Sequence, residues 1–111
     1  MDYDAIVANR VIRELDAAIA YTARHTGTPA RVNGLAQAYK QAIASLEKSP
    51  LMYPIEQLVS KSAGFEVRRV RVGNYRLIFT VNEDAHEVNV TSLLHMRSDS
   101  EARFRRDYGD S

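Results

Sequence analysis

The sequence contains no cysteine, which excludes disulfide bonds, zinc sites built from thiolates and a cysteine nucleophile. Its three histidines, His25, His86 and His95, do not have the spacing of a metal site. Neither a glycine-rich phosphate loop nor a Gly-x-Ser-x-Gly motif is present. We therefore expect that the protein uses no metal and no other cofactor.

Long hydrophobic runs are lacking as well. The apolar stretches extend for only a few residues, whereas a membrane-spanning helix needs about 20. The N-terminus does not show the basic region and apolar run of a signal peptide. We expect a cytoplasmic protein that does not contact a membrane.

An excess of charge of one sign is also missing, since 15 Lys and Arg residues face 14 Asp and Glu residues. Proteins that bind nucleic acid nonspecifically are usually more basic than this. With 111 residues, of which 45% are hydrophobic and 26% charged, the chain fits a single globular domain over residues 1–111. Residues 98–111 form its polar C-terminal tail in this interpretation.

The first half of the chain predicts one strand and two helices. Side chains alternate along residues 3–8, as in a short strand. Apolar residues then recur at helical spacing over residues 9–25 and again over residues 29–49. A Thr-Pro pair begins the second helix and a proline ends it, so the two helices should pack as an antiparallel hairpin. Residues 50–64 are rich in proline, serine and glycine and predict a loop.

The second half changes to a period of two and predicts three strands, over residues 65–72, 75–81 and 86–96. Gly73-Asn74 forms a tight turn between the first two. The order is then β-α-α-β-β-β. This order predicts an α+β fold, in which the N-terminal helical hairpin packs on a twisted antiparallel sheet.

The two-residue turn predicts which arginines share a face of the sheet. It places Arg71 opposite Arg76 and Arg69 opposite Ile78, all on the face away from the apolar residues. Like charges paired across strands destabilise a sheet by up to roughly 1 kcal/mol. A polyanion or an acidic partner would explain why this arrangement is accepted. The alternative is a face that is rich in arginine only because it is solvated.

The last strand extends the prediction. Its alternation places Leu94 on the apolar side and Leu93 and His95 on the arginine side, where exposed Ile78 and Leu93 are candidates for an apolar contact with a partner. His95 should lie within a residue or two of Arg76, where a neutral imidazole could act as a general base. The alternative for His95 is an ordinary surface histidine. The predicted set on the open face is Arg69, Arg71, Arg76, His95 and Arg97.

Two segments resemble the RelE/ParE superfamily of toxins from type II toxin–antitoxin systems. Residues 69–79, a basic strand followed by a glycine turn and Tyr-Arg-Leu-Ile-Phe, are similar to the central hairpin of that family. Residues 93–99 resemble its final strand, which in the ParE branch commonly closes with Leu-His-x-Arg-x-Asp. The helical hairpin fits as well, so the resemblance covers nearly the whole chain. It implies an antitoxin that wraps and neutralises the toxin in a heteromeric complex, with a role in growth arrest or plasmid stabilisation.

The resemblance leaves two toxic mechanisms open, and a third alternative is a decayed family member that still binds an antitoxin but is not toxic. RelE-like members cleave mRNA on the ribosome, and there Arg76, His95 and Arg97 would be the catalytic residues. Attack by a ribose 2′-hydroxyl needs a base and cationic stabilisation of the phosphorane. The C-terminal tyrosine of those enzymes has no obvious counterpart, since Arg103 and Phe104 occupy the nearby positions.

ParE-like members instead poison DNA gyrase and need no catalytic set. In that case Arg69, Arg71 and Arg76 would bind the target. The longer helical hairpin and the Leu-His-x-Arg-x-Asp ending favour this branch by a small margin.

Overall fold

The computed structural model describes residues 2–26 and 28–96. The elements are β1 (Asp4–Val7), α1 (Asn9–Thr26), α2 (Pro29–Lys48), a 3₁₀ turn (Pro50–Met52), α3 (Gln57–Ala63), β2 (Arg68–Val72), β3 (Tyr75–Asn82) and β4 (Glu87–His95). The predicted helical hairpin and the three C-terminal strands are confirmed. The predictions for Arg97, for Arg103 and Phe104, and for the tail over residues 98–111 lie outside the described residues.

The four strands form one sheet in the order β1-β4-β3-β2. Strands β2, β3 and β4 are antiparallel, whereas β1 lies parallel to β4. The chain can join these two parallel strands because the intervening helices and hairpin provide the long connection that parallel pairing requires. The α+β fold is confirmed, and the N-terminal strand makes its sheet mixed rather than purely antiparallel.

The main core lies between the helical hairpin and one face of the sheet, called here the helix face. Its buried residues are Val11, Ala18, Leu35, Ala42, Leu46, Val70, Val72, Leu77, Phe79, Val88, Val90 and Leu93. Val11 and Ala18 are two helical turns apart on α1, and Leu35, Ala42 and Leu46 form the matching stripe on α2. Burying a Leu or Phe side chain contributes about 1.5–3 kcal/mol. This core therefore holds the hairpin against the sheet.

Residues 50–64 are not the loop that their composition predicts, because they contain a 3₁₀ turn and the helix α3. Val59 of α3 packs with Val67, Ile78 and Leu94 on the sheet face opposite the main core, called here the α3 face. The helix ends at Gly64, whose φ of 80° gives the left-handed cap that glycine favours. Ile78, which the sequence predicts to be exposed, is therefore buried.

A bulge in β4 changes which side chains face the helices. Ile78 pairs with Ser92 but Phe79 pairs with Val90, so Thr91 is the extra residue in β4. Because side chains alternate along a strand, one extra residue moves every later side chain to the other face. Leu93 therefore lies in the main core, and Leu94 lies on the α3 face. The predicted assignment of these two leucines is wrong, and Leu93 is not exposed.

Candidate functional site

The β2–β3 hairpin places three arginines on the α3 face. Arg71 pairs with Arg76 and Arg69 pairs with Ile78, as the two-residue turn predicts. Gly73 adopts a φ of 59° at the first turn position, where a type II′ hairpin turn needs glycine. The like-charged Arg71–Arg76 pair is therefore a feature of the folded sheet.

The three arginines line a cavity of about 510 Å³, which we call the arginine pocket. Its lining residues are Tyr53, Pro54, Glu56, Arg69, Val70, Arg71, Tyr75, Arg76 and Met96. One wall is formed by the chain after the 3₁₀ turn, which runs along the outer edge of β2. The Arg69 amide donates to the Pro54 carbonyl at 3.1 Å, and the Glu56 amide donates to the Val67 carbonyl at 2.7 Å. These bonds hold residues 54–56 beside the arginines.

Backbone carbonyls orient the guanidinium groups. Nη1 of Arg69 donates to the Ile55 carbonyl at 3.3 Å and lies 3.6 Å from Oε2 of Glu56. Nε of Arg71 donates to the Gly73 carbonyl at 2.9 Å. A carbonyl acceptor directs a guanidinium without neutralising its charge.

Nη1 of Arg76 in turn donates to the Met96 carbonyl at 3.0 Å. Among the described residues that line the pocket there are thus three guanidinium groups and one carboxylate, that of Glu56. Such a surface favours an anionic ligand, because charge-assisted hydrogen bonds from arginine to carboxylate or phosphate are strong. The lining of the pocket is therefore suited to an anion.

His95 does not join this set. It pairs with Tyr75 across the β3–β4 ladder, and the two rings meet edge to face with centroids 5.2 Å apart. Both rings lie on the helix face. Tyr75 lies there as the two-residue turn predicts, whereas His95 lies there because the bulge at Thr91 reverses the alternation that the sequence suggests. The prediction that His95 shares the face of Arg76 is wrong. The prediction that it lies within a residue or two of Arg76 along the strands is confirmed, because Arg76 pairs with Leu94, the residue next to His95.

His95 instead lines a second cavity, of about 370 Å³, at the end of the helical hairpin. Its lining residues are Tyr21, Thr22, Arg31, Gly34, Leu35, Gly73, Asn74, Tyr75 and His95, and we call it the Gly34 pocket. Burial raises the pKa of the Tyr75 phenol above its usual value, and the nearby Tyr21 raises it further. Tyr75 is thus a neutral hydrogen-bond donor at physiological pH.

Sequence reasoning missed Tyr53 and Glu56, because both fall in the segment predicted to be a loop. The Tyr53 hydroxyl is hydrogen-bonded to Oγ of Ser45. The Tyr53 ring lies edge-on to the ring of Phe79, with the ring centroids 6.2 Å apart. These contacts fix the wall that carries Glu56. A signal was present in the apolar residues at positions 59 and 63, one helical turn apart and followed by Gly64.

No group of three or more His, Asp or Glu side chains within residues 2–26 and 28–96 is placed to hold a metal ion. No helix in these same ranges is long and apolar enough to cross a membrane.

The comparison with known proteins agrees with the fold. Residues 5–100 match the family described as "ParE toxin of type II toxin-antitoxin system, parDE". No curated protein is similar enough to this chain to count as a match. The family match spans well over half of the 111 residues. The chain therefore belongs to the ParE toxin family of type II toxin–antitoxin systems, within the RelE/ParE superfamily.

Proposed function

We propose that this protein is a growth-arresting toxin that poisons DNA gyrase by binding to it and is neutralised by a cognate antitoxin. Membership of the ParE toxin family supports the toxin role and the antitoxin partner. The observation that carries the choice of gyrase is the position of His95 and Arg76 on opposite faces of the sheet. Gyrase acts on chromosomal DNA in the cytoplasm, so a cytoplasmic location of the protein is part of the proposal.

The separation matters because RNA cleavage needs both groups at one phosphodiester. A general base must come within hydrogen-bonding distance of the 2′-hydroxyl, about 3 Å, while a cation stabilises the phosphorane beside it. Side chains on opposite faces of a sheet point away from each other. The sheet therefore does not direct His95 and Arg76 towards one phosphodiester, which supports a toxin that binds rather than cleaves.

The arginine pocket suits a binding role. Arg71 is exposed, and Arg69 and Arg76 are half-buried, so their charges can reach a partner surface. Cationic side chains arranged in this way steer an acidic partner into place and exclude others. In this proposal Arg69, Arg71 and Arg76 contact an acidic surface of the gyrase–DNA complex.

A second candidate is the RelE-like function, a ribosome-dependent mRNA endoribonuclease. It is favoured by one observation, the convergence of three guanidinium groups on a single cavity. Such a cluster could hold a scissile phosphate and stabilise its transition state, with Arg76 in the catalytic role. The general base would then have to be a group other than His95.

A supercoiling assay distinguishes the two candidates. Purified protein is added to gyrase, ATP and relaxed plasmid, and in parallel to ribosomes translating a defined mRNA. We expect inhibition of supercoiling at stoichiometric concentrations and an intact mRNA. Normal supercoiling together with cleavage of the translated mRNA would instead establish the endoribonuclease.

A further inference from the structure

Gly34 is a glycine that the fold does not need. It lies inside the helix α2, where glycine is less favourable than alanine because it loses more backbone entropy. A Cβ atom built at Gly34 would meet nothing within 4 Å, so no close packing requires its absence. Its position in the wall of the Gly34 pocket gives another reason: the missing side chain leaves the backbone of α2 open to a ligand.

The lining of this pocket has a definite chemical character. Three rings, those of Tyr21, Tyr75 and His95, provide flat apolar surface. Arg31 is the one lining residue with a permanent charge, and none of the described lining residues is acidic. A single guanidinium matches a singly charged carboxylate better than a phosphate, which carries more charge and is usually held by several donors.

The two pockets share one lining residue, Tyr75, but the three arginines of the β2–β3 hairpin line only the arginine pocket. The arginine pocket lies where residues 53–56 run beside β2, whereas the Gly34 pocket lies between the helical hairpin and the β2–β3 turn. A partner in the Gly34 pocket therefore does not need to cover the three arginines. The arginines can therefore meet the target while a partner occupies the Gly34 pocket.

We propose that the Gly34 pocket binds a short acidic segment of the antitoxin. An Asp or Glu carboxylate pairs with Arg31, an adjacent apolar side chain packs on the rings of Tyr75 and His95, and the peptide passes over Gly34. The antitoxin is assigned as the occupant because family membership provides that partner, and this assignment rests on the proposed function. The recognition chemistry comes from the pocket itself.

A peptide titration tests the chemistry. The full chain, labelled with ¹⁵N, is titrated with acetyl-Leu-Glu-Phe-amide and with the matched acetyl-Leu-Gln-Phe-amide. We expect saturable chemical-shift changes of the Gly34, Gly73 and Asn74 amides. The glutamine peptide should bind about tenfold more weakly, because losing a charged hydrogen bond raises the dissociation constant at least about tenfold. Equal binding of the two peptides, or shifts elsewhere, would overturn the proposal.

Two variants locate the binding. Gly34→Leu fills the pocket, and Arg31→Gln removes its charge. Asn33→Leu is the matched control, because it adds the same side chain at an exposed neighbouring position of α2 that does not line the pocket. Gly34→Leu should abolish the shifts, Arg31→Gln should weaken binding about tenfold, and Asn33→Leu should bind as the wild type does. Binding that survives in both pocket variants contradicts the proposal.

A growth assay separates this inference from the proposed function. Each variant is expressed with and without the cognate antitoxin. Toxicity of Gly34→Leu that the antitoxin no longer relieves supports the inference, whereas full neutralisation overturns it and leaves the toxin function standing. If the wild type is not toxic, the proposed function fails, and the peptide titration still decides the inference.

Discussion

Arg76 and His95 lie on opposite faces of the sheet, although Arg76 pairs with Leu94, the residue next to His95. The bulge at Thr91 produces this relationship. It turns His95 towards the helical hairpin and leaves the arginines of the β2–β3 hairpin on the α3 face. An arginine surface without an adjacent histidine is suited to binding rather than to RNA cleavage.

The arginine pocket should carry the effect on gyrase. We expect Arg71→Gln and Arg76→Gln each to raise the concentration needed for half-inhibition of supercoiling about tenfold, because a charged hydrogen bond contributes about 1.5–3 kcal/mol. Arg13→Gln is the matched control, since Arg13 is an exposed arginine on α1 outside the pocket. An equal effect of all three changes would mean that overall charge, and not the pocket, matters.

The α3 face should contribute to stability. Ile78 is 2% exposed and packs against Val59 of α3, so Ile78→Ala should leave a cavity and lower the free energy of unfolding by about 2–5 kcal/mol. Ile12 is 44% exposed, and Ile12→Ala should change it by less than about 0.5 kcal/mol. Urea unfolding measures both changes. A small effect at position 78 would show that α3 does not cover the sheet.

The bulge itself can be tested by removing its extra residue. Deleting Thr91 should leave Ile78 paired with Ser92 and Phe79 paired with Val90, with Leu93 still in the main core, because it removes only the extra residue of the bulge. The deletion variant should therefore fold. Thr91→Ala is the control, and it removes only the hydrogen bond from Thr91 Oγ1 to the Ile78 carbonyl, at a cost of about 1 kcal/mol. A deletion variant that does not fold, or that melts far below Thr91→Ala, would argue against the bulge, because deleting a residue from a regular strand moves every later side chain to the other face.

Two glycines should respond in opposite ways to alanine. Gly34→Ala should raise the free energy of unfolding by about 0.5–1 kcal/mol, because it removes a glycine from a helix interior where a Cβ has open space. Gly64→Ala should lower it by about 1–2 kcal/mol, because Gly64 has a φ of 80°. Chemical denaturation of both variants measures the difference. Destabilisation by Gly34→Ala would show that the fold itself requires this glycine.

The parts that the sequence predicts correctly are those set by local chemistry. The Gly73-Asn74 turn has only two residues, so it determines the pairing of Arg71 with Arg76 and the face of Arg69. The proline positions determine the limits of α2. The helical spacing of apolar residues identifies the two helices of the hairpin, and this spacing is also a local feature of the sequence.

The parts that were predicted wrongly depend on distant contacts. Leu93 and Leu94 are adjacent and both apolar, so either register of β4 places one leucine in the main core, and the sequence alone does not reveal the bulge. The helix over residues 57–63 is stabilised because Val59 packs against Val67, Ile78 and Leu94 on the α3 face. The composition of the segment does not reveal these contacts. The parallel pairing of β1 with β4 likewise arises only when the whole sheet forms.

Pulse labelling after induction of the toxin without its antitoxin tests the central claim most directly. New DNA and new protein are followed separately during the first minutes of growth arrest. If the protein poisons gyrase, DNA synthesis falls first while protein synthesis continues. An early fall in protein synthesis with DNA synthesis intact would contradict the account and assign the arginine pocket to mRNA cleavage.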